Sequence, residues 1–183
     1  SPAIAEHLNM SNCNLILPIL KYGTEEQKQA WLPRIASGDA YCAFALTEPE
    51  AGSDNSGMTT TAVQDGEDYL INGHKCFISA AKAATAFILD RKVQPDGVSV
   101  GKEEPTMGMI GAPVYDVYFD NVRVPARNIV GKPGDGFKAA MCGLNPGRCA
   151  LSALAIGIAQ HAIDVTVDYV RPEDVLKDPR RLP

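Results

Sequence analysis

Apolar positions change their spacing twice along the chain, and the changes divide it into three stretches. Over residues 3–20, Ile4, Leu8, Leu15, Ile16, Leu17, Ile19 and Leu20 suggest helical material, with Pro18 placed to kink or end a helix. A second helix is predicted to start at Thr24. Thr24 and Gln27 form a capping-box pattern, Glu25 and Glu26 suit the positive end of the helix dipole, and Gly38 stands where a terminator is wanted. Trp31 and Ile35, one turn apart, mark its buried face.

At Ala40 the helical spacing gives way to the apolar run Tyr41-Cys42-Ala43-Phe44-Ala45-Leu46, which ends in the turn-rich Glu48-Pro49-Glu50-Ala51-Gly52-Ser53. That pattern predicts a buried strand running into a loop. Strands are expected next at 58–63, 69–71 and 75–79, turning at Asp65-Gly66 and at Asn72-Gly73, because Asn-Gly supplies the positive φ angles of a tight hairpin. Further strands are expected at 85–89, 98–101 and 114–119. Beyond Pro125, the glycine-rich 131–136 leads into a long apolar helix over 137–170 around Leu151, Leu154, Ala155, Ile158, Ala159, Ala162 and Ile163. The fold class that follows is α+β, a central antiparallel β domain, barrel- or sandwich-like, flanked by helices.

Composition narrows the function. With 183 residues, 45% hydrophobic and 21% charged, the chain is neither disordered nor collagen-like. Seventeen basic against 22 acidic residues give a net charge of −5, and no Lys/Arg cluster beyond short pairs such as Arg180-Arg181 offers a nucleic-acid face. The longest apolar runs, 15–20 and 151–159, fall short of the ~20 residues of a membrane span, so none is expected. Cys13, Cys42, Cys76, Cys142 and Cys149 are scattered and odd in number, as in reduced intracellular thiols. His7, His74 and His161 stand alone, and no metal site is predicted. The Ser1-Pro2 start, without Met or a signal-like leader, reads as a processed, tagged or excised piece.

Three motifs invite chemistry and fail on context. Gly134-x-Gly136-x-x-Ala139 matches a dinucleotide fingerprint, but no parallel strand with an acidic end follows the helix. Glu48, Glu50 and Asp54 crowd into one turn, where carboxylates more often cap loops and accept from backbone N–H groups than act as a catalytic pair. Ser53 after Gly52 lacks the Gly-x-Ser-x-Gly elbow and a histidine to activate it.

Leu46-Thr47-Glu48-Pro49-Glu50-Ala51-Gly52-Ser53-Asp54 and Ile71-Asn72-Gly73-His74-Lys75-Cys76-Phe77-Ile78-Ser79 together resemble the acyl-CoA dehydrogenase family. Tyr22-Gly23-Thr24-Glu25-Glu26-Gln27-Lys28, Phe119-Asp120-Asn121-Val122-Arg123-Val124-Pro125 and Gly157-Ile158-Ala159-Gln160-His161-Ala162 agree, in order. The likeness runs from about residue 12 to 171. It implies three parts: 1–38 as the end of an N-terminal helical domain, 39–125 as the middle β domain, and 126–183 as the start of a C-terminal helical domain.

The resemblance also implies extended FAD on the β domain and an acyl-CoA substrate. Phe44, Leu46 and Thr47 would end a strand against the isoalloxazine ring, Thr47 offering a hydroxyl to its polar edge. Phe77, where many relatives carry Trp, would pack on the flavin, and Ser79 would hydrogen-bond it. Gly52 and Ser53 would allow close backbone approach, with Ser53 near pantetheine or the flavin phosphates, and Arg148 would face substrate or a carboxylate. The implied reaction is α,β-dehydrogenation of the thioester, with electron-transfer flavoprotein or another acceptor taking the electrons. A homo-oligomer in the bacterial cytoplasm or mitochondrial matrix is implied too. The base is unassigned: one family position for it falls on Gly147, the other beyond this chain. Between Ala81 and Ala86 there is no room for a further family strand and loop, and Pro172-Glu173-Asp174-Val175 replaces the family's basic-aromatic-glycine stretch. A fragment, a sequence with stretches closed up, and a degenerate copy all fit those departures. Alternatives within the fold are an acyl-CoA oxidase, a nitroalkane oxidase or a flavin hydroxylase; outside it, a scaffold that has lost the base.

Overall fold

The computed structural model describes residues 2–9, 14–54, 57–84, 86–87 and 97–170. Three helices come first: α1 (Pro2–Asn9), α2 (Leu17–Tyr22) and α3 (Glu25–Ser37). Pro18 lies in the first turn of α2, directly after π-helical residues 14–16, so helical backbone continues through it rather than ending there. The predicted cap of α3 is formed reciprocally. Thr24 Oγ1 accepts from the Gln27 N–H at 3.2 Å and Gln27 Oε1 accepts from the Thr24 N–H at 3.0 Å. Gly38, at φ +83°, ends the helix in the left-handed region that favours glycine. Trp31 and Ile35 pack, half-buried, against a cluster of Leu15, Cys42 and Phe44.

The β region holds β1 (Cys42–Ala43), β2 (Thr61–Asp65), β3 (Asp68–Ser79), β4 (Ala86–Phe87), β5 (Val98–Glu103) and β6 (Val114–Pro125). Four of them form an antiparallel sheet in the order β2-β3-β6-β5, while β1 and β4 pair in parallel. The architecture is α+β as expected, and among the described residues the sheet is open. Alternation explains its core: Tyr115, Val117, Phe119, Val122 and Val124 of β6 pack with Ile71 and Ile78 of β3 and with Ala43, Ala81 and Ala84.

Asp65-Gly66 turns the chain between β2 and β3 as predicted, but Asn72-Gly73 does not. β3 runs through it as one 12-residue strand, with a register shift between Ile71 and Gly73. The glycine answers close approach rather than a turn, since a Cβ there would stand 2.2 Å from Thr60 Oγ1. The first predicted strand shrinks to two residues, and the strand expected at 85–89 falls partly outside the described residues.

After a short 3₁₀ turn at Ala126–Asn128 the chain enters α4 (Gly136–Tyr169), 34 residues long. Its first turns are held: Ala139, Gly143 and Gly147 are buried. Over 151–170 every residue but Leu154 is exposed. By length and composition alone α4 could cross a membrane, which contiguous apolar runs did not reveal because polar residues interrupt them.

Candidate functional site

The loop after β1 is fixed by two buried charges. Lys75, in the middle of β3, and Glu48 form an ion pair of 2.8 Å with side chains 9% and 1% exposed. Lys75 Nζ also donates to the Leu46 carbonyl at 3.0 Å and lies 3.8 Å from Met58 Sδ. The Glu48 carboxylate accepts from the Thr59 N–H (2.6 Å), the Thr59 hydroxyl (2.9 Å) and the Thr60 N–H (3.1 Å). Burial pushes this carboxyl up, yet the hydrogen bonds from Lys75, Thr60 and Thr59 outweigh it and hold Glu48 well below the ordinary carboxylate range. Glu48 thus does what a carboxylate in a turn was expected to do. Lys75 carried no role in the sequence reading; a lone charge beside Cys76 and Ile78 in a buried strand was the available signal.

The same strand carries an unusual residue beside this pair. Between Lys75 and Ile78 the pairing of β3 with β6 shifts register, and Phe77 takes φ +57°. A bulge with a bulky residue in the left-handed region costs ~1–3 kcal/mol and persists only where the surroundings enforce it. The outcome is a phenyl ring 62% exposed between buried Cys76 and buried Ile78. The Cys76 N–H donates to the Thr47 carbonyl at 2.9 Å, so Thr47 is bonded to the residue preceding Phe77.

The sequence-predicted residues fall into five places. Thr47 and Phe77 are joined through Cys76. Phe44 is buried against the helices, where it lines a cavity of about 550 Å³ with Leu15, Trp31, Tyr69 and Ile71, and Leu46 packs against the same cluster. Ser79, at the end of β3, borders a second cavity with Glu6, Thr106 and Met109. Gly52 and Ser53 are exposed just past the Glu48–Ala51 bridge, and a Cβ on Gly52 would meet nothing within 4 Å. Arg148 is exposed on α4 and donates to Asn145 Oδ1 at 2.8 Å. No group of three metal-ligating side chains occurs among the described residues. The arrangement can present an aromatic face beside a hydroxyl and backbone groups, which suits a planar heteroaromatic ring; the Thr47 and Ser79 hydroxyls make no hydrogen bond among the described residues.

Comparison with known proteins gives one answer along the chain. Family models match at 2–39 for the acyl-CoA dehydrogenase N-terminal domain, at 43–122 for the middle domain and at 134–179 for the C-terminal domain. An acyl-CoA dehydrogenase of Bacillus subtilis is 42% identical over 170 residues, 84% of this chain and 45% of that protein. Butyryl-CoA dehydrogenase from Megasphaera elsdenii superposes with a TM-score of 0.88 at 34% identity, over 94% of this chain and 49% of that one. An acyl-CoA dehydrogenase from Bacillus anthracis, solved with FAD, gives 0.78 at 34% identity over 84% and 29%. The chain spans just under half the length of the curated relatives it matches.

Proposed function

The chain belongs to the acyl-CoA dehydrogenase family, and we propose that the whole protein carries out FAD-dependent α,β-dehydrogenation of an acyl-CoA thioester. The observation that carries this reading is the strained, exposed Phe77 fixed beside Thr47. Bound FAD would supply the acceptor for a hydride from the β-carbon, with a base needed to take the α-proton. Phe77 would offer its face to the flavin ring, Thr47 and Ser79 their hydroxyls, and Phe44 and Leu46 the apolar packing beneath the strand end. Open space over Gly52 leaves room for a ligand to approach the backbone, with Ser53 toward pantetheine or phosphate. Arg148 would face substrate. Gly147 has no side chain to act as base, and the base stays unassigned among these residues.

The reading extends to domains 1–38, 39–125 and 126–183, to electron-transfer flavoprotein or another acceptor, to a homo-oligomer, and to the bacterial cytoplasm or mitochondrial matrix. It makes α4 a helix of a packed bundle, in keeping with the C-terminal domain match, and not a membrane span. Assay of the full-length protein against a panel of acyl-CoAs with an artificial electron acceptor tests it. Bound flavin that bleaches with one of them is expected; no flavin and no acceptor reduction would sink the reading. Gly147 favours one second reading, a scaffold without the base, which bound FAD that no acyl-CoA bleaches would support. An oxidase of the same fold would instead be reoxidised by oxygen.

A further inference from the structure

We propose that Lys75 is a positioning residue of the ring site: with Glu48 it clamps the 46–48 loop and the 57–60 turn onto β3 and thereby sets Thr47 against Phe77. The inference rests on the flavin reading above and deepens it. Lys75 reaches one side of the site by donating to the Leu46 carbonyl and the Glu48 carboxylate, with Met58 Sδ as a third, longer contact. Glu48 carries the fixation onward to the backbone N–H groups of Thr59 and Thr60. Lys75 is also the last paired residue of β3 before the shifted register that throws Phe77 outward. Both arms that would hold the ring, Thr47 from the loop and Phe77 from the bulge, therefore start from one buried ammonium group.

A merely stabilising pair could be replaced by neutral groups of like size without local consequence, since such replacement is often neutral for buried ion pairs. A clamp could not, because methionine offers the Leu46 carbonyl no donor. The test compares the wild-type chain with Lys75→Met and with the double variant Glu48→Gln/Lys75→Met, which removes both charges and leaves none buried alone. In the double variant, amide hydrogen exchange is expected to lose at least tenfold protection at Thr59, Thr60 and Cys76 while β6 residues 115–124 keep theirs. Unchanged exchange at those three amides, or equal loss across β6, would overturn the clamp. FAD titration followed by the visible flavin band separates the two readings. If the wild-type chain takes up FAD, the double variant should bind at least tenfold more weakly with an altered band shape, and equal binding overturns the positioning role. Failure of the wild-type chain to take up FAD counts against flavin binding by this chain, and the clamp then stands or falls on exchange.

Discussion

The sheet and the outer part of α4 are both rich in apolar residues, and the chain treats them in opposite ways. Val117 in β6 has no exposed surface and the Lys75 charge has its partners within the chain, whereas Ile156 is 69% exposed and Ile163 56%. The sheet buries its β3–β6 face and pairs its buried charge within the chain. Among the described residues, the second half of α4 rests on its own helical hydrogen bonds and its side chains are left exposed. A membrane-spanning composition and a bundle composition look alike in such a helix; the family match at 134–179 favours the bundle.

The sharpest way to break that contrast is at the sheet's buried pair. Lys75→Met leaves the Glu48 carboxylate buried without its cation, and loss of one partner of such a pair costs about 3–5 kcal/mol. Urea unfolding followed by far-ultraviolet circular dichroism should record it. The pair also gives the sheet a pH dependence. The folded pKa of Glu48 lies below its unfolded value, so its contribution is complete above the ordinary carboxylate range and is lost as pH falls toward the folded value. Acid titration of unfolding should therefore show a steeper loss below pH ~4.5 in the wild type than in Glu48→Gln/Lys75→Met.

What the sequence displayed follows the range of the interaction. The α3 cap was legible because Thr24 and Gln27 are three residues apart, and the β2–β3 turn because Asp65 and Gly66 are adjacent. The family motifs made Thr47, Phe77 and Ser79 nameable as candidates for the proposed ring site, and the crowded carboxylates pointed to Glu48 as a loop cap. Lys75 was silent because its partner is 27 residues away. Asn72-Gly73 misled for the same reason: the neighbour that demands a glycine is Thr60, on the other side of the β2–β3 turn. The length of α4 could be read from its apolar positions, but its exposure depends on what else is present to cover it.

Two glycines extend the contrast with one substitution. Gly73→Ala forces a methyl against the short, branched Thr60 side chain, which has little room to yield, and should destabilise by about 1–3 kcal/mol, as overpacking does. Gly157→Ala on α4 meets nothing within 4 Å and gains helix propensity, so the helix should be stabilised by up to about 1 kcal/mol. Thermal unfolding of the two variants should move in opposite directions. A loss at both positions would mean that α4 is already packed against something at Gly157.

The smallest change in stability is expected on the apolar face of α4 itself. Ile156 and Ile163 lie two turns apart on one side of the helix, so replacing both by Gln removes apolar surface from a single stripe and keeps good helix formers. Because both are already in water, unfolding free energy at low protein concentration should change by less than about 0.5 kcal/mol. Association should respond instead. Exposed apolar surface of this extent drives contact between chains, so light scattering should find the unsubstituted chain associated and the Ile156→Gln/Ile163→Gln chain shifted toward monomer. A fall of 2 kcal/mol or more without a change in scattering would place those side chains against this chain's own core, and the distinction between a self-contained sheet and a dependent helix would fail.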